Sequence, residues 1–239
     1  MEKIITYENL RNFAYVNDKI CKKPIKGIVL LFFGLGSTTM YANDTMEGEF
    51  YGDKGILYVV PYNNPWAWMN SQAVTYTDEI IDLLFEKYSL PEDTPIVSTG
   101  LSMGGMASLI YAKYSKRTPV ACVSNCPVCD MVYHYTERPD LPRTIYSALF
   151  NCEGTLDEAL RRVSPLHLAS EMPKIKYHVF HCTGDTQVNP ALHSEKFVDE
   201  MKKNGHNITL DIVQGRKHCD LSLEKKRLFA DYILKAIEG

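Results

Sequence analysis

The segment Gly100-Leu101-Ser102-Met103-Gly104 sets one serine between two glycines, directly after an apolar stretch and directly before a run with helical spacing. On so tight a strand-to-helix turn the serine is pushed to the tip. The flanking glycines remove the Cβ atoms that would collide where strand and helix nearly touch. A helix beginning at Met103 aims unpaired backbone N–H groups and the positive end of its dipole at the same point. Ile96 to Ser98 is β-rich, while Met106, Leu109 and Ile110 give the helix a buried stripe. Ser102 is therefore expected to be a nucleophile. The competing reading is an ordinary glycine-rich loop.

A serine hydroxyl needs a base that takes its proton and later returns it to the leaving group. Histidine suits the task, because its pKa lies near the working pH. In an alternating strand–helix chain the acid and then the base follow the serine, each in a loop after a later strand. Asp185 occupies the first such loop, His181-Cys-Thr-Gly-Asp185-Thr-Gln-Val-Asn-Pro190, and His218 the second, Gln214-Gly-Arg-Lys-His218-Cys-Asp220. His181 lies only four residues from Asp185, too close to be a separately delivered base. His134, His167, His178, His193 and His206 read as structural or solvated. Asp130, Asp211 and Asp220 are weaker acids for the role by position. For the oxyanion, the Met103 N–H is one donor; the Gly34-Leu35-Gly36 loop supplies the other, with Leu35 the first choice and Gly36 the second. Tyr62, Trp66 and Trp68 follow a strand and can border the cleft as substrate contacts, or pack their loop against the chain beyond. Arg138 and Arg143 read as solvated charge.

These loops require a sheet to carry them. Gly27 to Phe33 and Ile56 to Val60 are apolar without alternation, as central strands covered on both faces are. Further strands are expected at Val120 to Ser124, Tyr177 to Cys182 and Ile208 to Val213. Helices are expected at Ala73 to Tyr88, Leu192 to Asn204 and Glu224 to Ile237. Phe13 to Val16 and the chain from Lys26 suggest an antiparallel N-terminal pair. Residues 126–173 interrupt the alternation with prolines, Pro127, Pro139, Pro142 and Pro173 among them, and two short helices, and read as a lid insertion; Thr155-Leu-Asp-Glu158 is a capping box. The alternation predicts one α/β domain over 1–239, with a mostly parallel sheet and helices on both faces.

A net charge of −3 and the lack of a Lys/Arg stripe argue against nucleic acid as a partner. No apolar run is long enough to span a bilayer, and the first residues lack a signal-peptide core, so no membrane partner and a cytoplasmic setting are expected. Seven cysteines in such a chain read as mostly reduced thiols. Cys126-Pro-Val-Cys129 has metal or redox spacing, but no second pair of that kind accompanies it. No metal or cofactor is expected.

Together these residues resemble the α/β-hydrolase family, and within it the small esterases and the catalytic domain of prolyl-oligopeptidase-like proteins. The resemblance covers nearly all of the chain. It rests on Phe33-Gly34-Leu35-Gly36, on Gly100-Leu-Ser102-Met-Gly104-Gly105, on His181-Cys-Thr-Gly-Asp185 and on Lys217-His218, together with Ser164-Pro165. It implies that Ser102 is nucleophile, Asp185 acid and His218 base. Two residues depart from the family pattern: Phe33 stands where many relatives have histidine, and Cys182 where glycine is common. The expectation is a cofactor-free carboxylesterase forming an acyl-enzyme with small acyl esters. A peptidase using the same machinery is the first alternative, and a non-catalytic ligand-binding protein on the same fold the second. Oligomeric state stays open.

Overall fold

The computed structural model describes residues 4–239. Seven strands form one sheet: β1 (Ala14–Val16), β2 (Gly27–Phe32), β3 (Ile56–Pro61), β4 (Ile96–Leu101), β5 (Ala121–Asn125), β6 (Lys176–Cys182) and β7 (Asn207–Val213). Their spatial order is β1-β3-β2-β4-β5-β6-β7, with β1 antiparallel and every other neighbouring pair parallel. This is the α/β-hydrolase type of sheet. The expected N-terminal pair is corrected in one respect. β1 pairs with β3 rather than with the strand that follows it, because both edges of β2 are occupied by β3 and β4.

The unalternating apolar strands divide cleanly between two cores. Ile28, Leu30, Phe32, Leu57 and Val59 face α2 (Ser71–Tyr88), α3 (Met103–Tyr114) and α7 (Lys196–Lys203). Val29, Ile56, Tyr58, Val97 and Phe180 pack instead with α1 (Met46–Gly52) and α8 (Leu223–Glu238). Each strand thus carries an apolar side chain toward both layers, and this erases the period-two signal. Helix starts follow side-chain caps: Asn70 accepts from the Ala73 N–H before α2, and Ser222 from the Lys225 N–H before α8. A π-type turn, Ala191–Glu195, leads into α7.

Between β5 and β6 lie three short helices, α4 (Met131–Glu137), α5 (Leu141–Leu149) and α6 (Leu156–Arg162). Both hydrogen bonds of the Thr155–Glu158 capping box form at the start of α6. Among the described residues, no helix is long and apolar enough to cross a membrane.

Parallel strands all present their C-terminal ends to one edge, and β4 ends there in the serine turn. A Cβ on Gly100 would lie 2.2 Å from the Gly104 carbonyl oxygen, and one on Gly104 would lie 2.1 Å from that of Phe32. Both obstacles are backbone, so neither can step aside. We expect Gly104→Ala to cost about 3 kcal/mol or more, at or above the upper end for overpacking. Urea unfolding monitored by fluorescence measures this directly; an unchanged midpoint would contradict the close approach of α3 to β2.

Candidate active site

Ser102 sits between β4 and α3 with φ 57° and ψ −123°, a left-handed conformation that costs a non-glycine residue about 1–3 kcal/mol. Its backbone N–H donates to the Asn125 carbonyl at 2.9 Å, which ties the turn to the end of β5. Its hydroxyl makes no hydrogen bond among the described residues. Met103 follows as the first residue of α3, and its N–H is likewise uncommitted.

Asp185 lies beyond β6 and is buried. Its Oδ1 accepts from the backbone N–H groups of Gln187 at 2.8 Å and Val188 at 3.0 Å. Its Oδ2 accepts from His218 Nδ1 at 2.6 Å, with His181 Nε2 a further 3.2 Å contact. Burial alone would raise this carboxyl group, but the hydrogen bonds from His181, His218 and the two amides prevail and hold it well below the ordinary carboxylate range. For His218, burial would lower the imidazole; the Asp185 carboxylate outweighs it and lifts the pKa to about 9. With Nδ1–H committed to Asp185, Nε2 is the basic nitrogen. It faces Cys219 Sγ at 3.6 Å rather than Ser102. The structure therefore brings Asp185 and His218 together, and leaves the Ser102 hydroxyl unbonded on the same sheet edge.

His181, set aside as a base, proves to be a support for the acid. It is fully buried; its Nε2–H donates to the Val188 carbonyl at 3.0 Å and leans on Asp185, while Nδ1 accepts from the Ser194 hydroxyl. The acid and base loops are also sewn together directly. Thr183 N–H donates to Val213 O, Gly184 N–H to Arg216 O, and Gly215 N–H to Thr183 Oγ1. Asn125 completes the frame, because its Nδ2 donates to the Cys219 carbonyl at 3.2 Å while its own carbonyl holds the Ser102 N–H. One residue at the end of β5 thereby fixes both the serine turn and the histidine loop. No motif announces it, since its role arises from strand register, in which Asn125 lies beside Leu101.

Two expected contacts need correction. Gly36 N–H donates to the Pro65 carbonyl at 3.0 Å and is not available to an oxyanion, whereas Leu35 N–H is uncommitted. Trp68 is only 1% exposed, donates from Nε1 to Thr144 Oγ1 and packs edge-on against His134; it belongs to the core and not to a substrate surface. Trp66 is 45% exposed and, with Tyr62, Asn64, Gln72 and Arg143, lines a cleft of about 530 Å³. A small separate space of about 20 Å³ bounded by Phe33, Gly34, Ser37 and Met103 adjoins that cleft, sharing Asn63, Asn64, Ala67 and Ala73 with it.

The rival acids are engaged elsewhere: Asp211 with Lys225, Asp220 with Arg216, and Asp130 as the N-cap of α4. His193, expected on a helix surface, is fully buried. Its Nδ1 accepts from the Cys129 and Asp130 N–H groups, and its Nε2–H donates to Glu137 Oε2 at 3.0 Å. His134 Nδ1 donates to the same oxygen at 2.6 Å, and Asn189 N–H reaches Oε1. Burial would raise the Glu137 carboxyl, but the two histidines draw it down to about 2. Arg138 bonds Asp140 and the Gln187 side chain rather than standing free in solvent. The end of α4 is thus latched to the acid loop.

With this geometry, the comparisons with known proteins converge. The sequence model of the prolyl oligopeptidase family matches residues 68–237. The chain belongs to that family, whose members are serine hydrolases on the α/β-hydrolase fold. No curated protein matches it. Among solved structures, the acylaminoacyl peptidase of Pyrococcus horikoshii is similar with a TM-score of 0.68 and 18% identity, over 91% of this chain and 38% of that one. The S-formylglutathione hydrolase of Agrobacterium tumefaciens is similar with a TM-score of 0.68 and 17% identity, over 94% and 88%. A propionate-bound esterase of Thermogutta terrifontis is similar with a TM-score of 0.63 and 19% identity, over 94% and 89%. The chain spans less than two fifths of the peptidase's length. At these identities the likenesses show the fold.

Two expectations follow from the frame. Asn125→Ala removes the bond to the base loop and should lower kcat/KM by about tenfold or more through mispositioning, while leaving substrate KM little changed; equal kcat for variant and wild type would refute the tie. Glu137→Gln should cost about 1–3 kcal/mol at neutral pH by leaving buried N–H groups poorly matched. Because the folded pKa is depressed, the carboxylate's contribution is complete above its ordinary value near 4.5 and is lost as pH falls toward about 2. The gap between variant and wild type in urea should therefore close over that interval.

Proposed function

We propose that this member of the prolyl oligopeptidase family is a carboxylesterase that cleaves small acyl esters, with Ser102, His218 and Asp185 as its catalytic residues. The observation that carries the reading is the 2.6 Å hydrogen bond from His218 to a buried Asp185, set on the sheet edge where Ser102 is held in a strained turn. The bond fixes the imidazole tautomer and leaves Nε2 free to act as base.

Ser102 Oγ attacks the ester carbonyl carbon as its proton passes to His218 Nε2. The carbonyl oxygen becomes an oxyanion, which the N–H groups of Met103 and Leu35 receive. The intermediate collapses, the C–O bond to the alcohol breaks, and the departing oxygen takes the proton from His218. Water then attacks the acyl-enzyme, giving its proton to the same nitrogen, and the acid leaves with Ser102 restored. In the free protein Nε2 faces Cys219 and Ser102 is unbonded, so the reactive contact forms as substrate binds.

Several features support an ester over a peptide. The cleft beside Tyr62 and Trp66 adjoins only a small space at Phe33, Gly34 and Met103, where a short acyl chain would fit better than a peptide. Two of the similar structures are an esterase and an S-formylglutathione hydrolase, each covered over nearly nine tenths of its length. A second reading, serine peptidase, is favoured by the family match and by the likeness to the acylaminoacyl peptidase. Seven unpaired cysteines fit a reducing compartment such as the cytoplasm.

Turnover of a p-nitrophenyl ester of acetate or butyrate tests the assignment. Ser102→Ala should lower kcat by about 10³-fold or more, and Asp185→Asn by about 10³–10⁴-fold, because the imidazole loses its orientation and tautomer. Undiminished hydrolysis by the serine variant would overturn the assignment. Faster turnover of aminoacyl nitroanilides than of esters would select the peptidase reading instead.

A further inference from the structure

Three clusters among the described residues hold potential metal ligands within 4.8 Å of one another. In the His134–Glu137–His193 cluster the nitrogens already bond directly to a carboxylate oxygen, and His193 Nδ1 accepts two backbone N–H groups, so its ligand atoms are committed. In the Cys126–His181–Asp185 cluster, both His181 nitrogens are occupied by Ser194 and by Val188 with Asp185. The third, Cys126–His218–Cys219, is different. His218 Nε2 faces only thiol sulfurs, that of Cys219 at 3.6 Å among them, and neither cysteine is in a disulfide; the Cys219 thiol makes only a long 3.8 Å contact with the Asn125 carbonyl.

We propose that Cys126, Cys219 and His218 form a binding site for a thiophilic divalent cation such as Zn²⁺, and that its occupation switches off hydrolysis by capturing the nitrogen that Ser102 needs. The inhibitory half rests on the function proposed above; the binding half does not.

The geometry suits the ion. Tetrahedral zinc with Zn–N near 2.0–2.1 Å and Zn–S near 2.3 Å separates the two ligand atoms by about 3.5 Å. The observed His218 Nε2 to Cys219 Sγ distance is 3.6 Å. Cys126 supplies the third ligand from the end of β5, and its sulfur already accepts the Cys219 N–H at 3.3 Å, a bond that would steady a metal-bound thiolate. Asp185 bonds the opposite imidazole nitrogen at 2.6 Å and so orients Nε2, as carboxylates do behind zinc-bound histidines. Cys126 and Cys219 both adopt left-handed backbone, with φ 47° and 58°, a strain that aims both side chains at one imidazole.

Charge and access also agree. Each thiol releases its proton to solvent as its sulfur binds, so one divalent ion and two thiolates are neutral together. His218 keeps 23% of its side chain exposed and Cys219 is half-buried, which gives solvent a path to the site, while Cys126 is fully buried behind them. The ligands come from positions 126 and 218–219, and the Cys126-Pro-Val-Cys129 spacing is misleading: Cys129 turns away, its thiol donating to the Pro127 carbonyl.

The reduced full chain should bind one Co²⁺ with an intense thiolate-to-cobalt charge-transfer band and tetrahedral visible bands, and Zn²⁺ should displace it. Mg²⁺ and Ca²⁺ should not. Zn²⁺ should inhibit ester turnover with the same affinity it shows in displacing cobalt. Cys219→Ala should weaken both binding and inhibition by about tenfold or more, since one of three protein ligands is lost, while preserving turnover without metal. Cys126→Ser should act likewise. Because Cys126 is buried and its variant can fail to fold, Cys219→Ala, half-exposed, carries the decision. A cobalt complex without the charge-transfer band, or zinc affinity unchanged in Cys219→Ala, would overturn the proposal. Should no ester be turned over, the cobalt spectrum and its loss in Cys219→Ala still decide the binding half alone.

Discussion

A carboxylate taken out of water is costly unless its oxygens find donors, and Asp185 finds four. Two are backbone amides of its own loop, one is the buried His181, and the last is His218. Three of these donors are supplied by the segment that β6 delivers; only His218 arrives from β7. The loop therefore folds as a preformed anionic socket, and the imidazole completes it. Removing any one donor would leave a buried charge partly unmatched, so this cluster helps fix where the His218 imidazole sits.

The sheet accounts for why such a cluster is possible here. Six adjacent parallel strands, β3-β2-β4-β5-β6-β7, end on one edge, so their loops must share limited space. Ser102, Cys126 and Cys219 all take left-handed φ in that crowd. Asn125 relieves it by serving two neighbours at once: its main chain holds the serine turn and its side chain the histidine loop. Strain of this kind persists only where surrounding bonds over-determine the conformation. Here the Ser102 N–H bond to the Asn125 carbonyl, the Cys126 N–H bond to the Phe180 carbonyl and the Cys219 N–H bond to the Cys126 sulfur do so.

Much of this was legible in the residues. Period and turn chemistry predicted the parallel sheet, the helices on both faces and the capping box at Thr155, because each depends on interactions within a few residues. Ser102 could be found because the two glycines are demanded by backbone atoms of Gly104 and Phe32. Contacts decided by register were not legible. Asn125 carries no signature, and His181 looked like a rejected base because sequence distance cannot reveal a neighbour that supports the acid. Trp68 reads like Trp66 in sequence, yet one is core and the other surface, a difference set by how α5 lies over the loop. The Gly36 amide looked as available as that of Leu35 until the Pro65 carbonyl was brought opposite it.

The chain between β5 and β6 is joined to the sheet edge that carries Asp185 and Ser102 by more than proximity. Glu137, at the end of α4, accepts from Asn189 and His193, while Arg138 reaches Gln187, whose amide is one of the four things holding the Asp185 environment in place. Gln187 thus has its main chain in the acid socket and its side chain on the insertion. Any displacement of α4 must break the Glu137 bonds to His193 and Asn189, and must also break the Arg138–Gln187 bond or pull on the loop that binds Asp185. The Arg138–Gln187 bond is exposed and weak; a pull on the loop would unmatch a buried carboxylate. Beside that exposed contact the buried Glu137–His193 bond holds the end of α4 to the chain that follows Asp185, so the two segments are positioned as one unit.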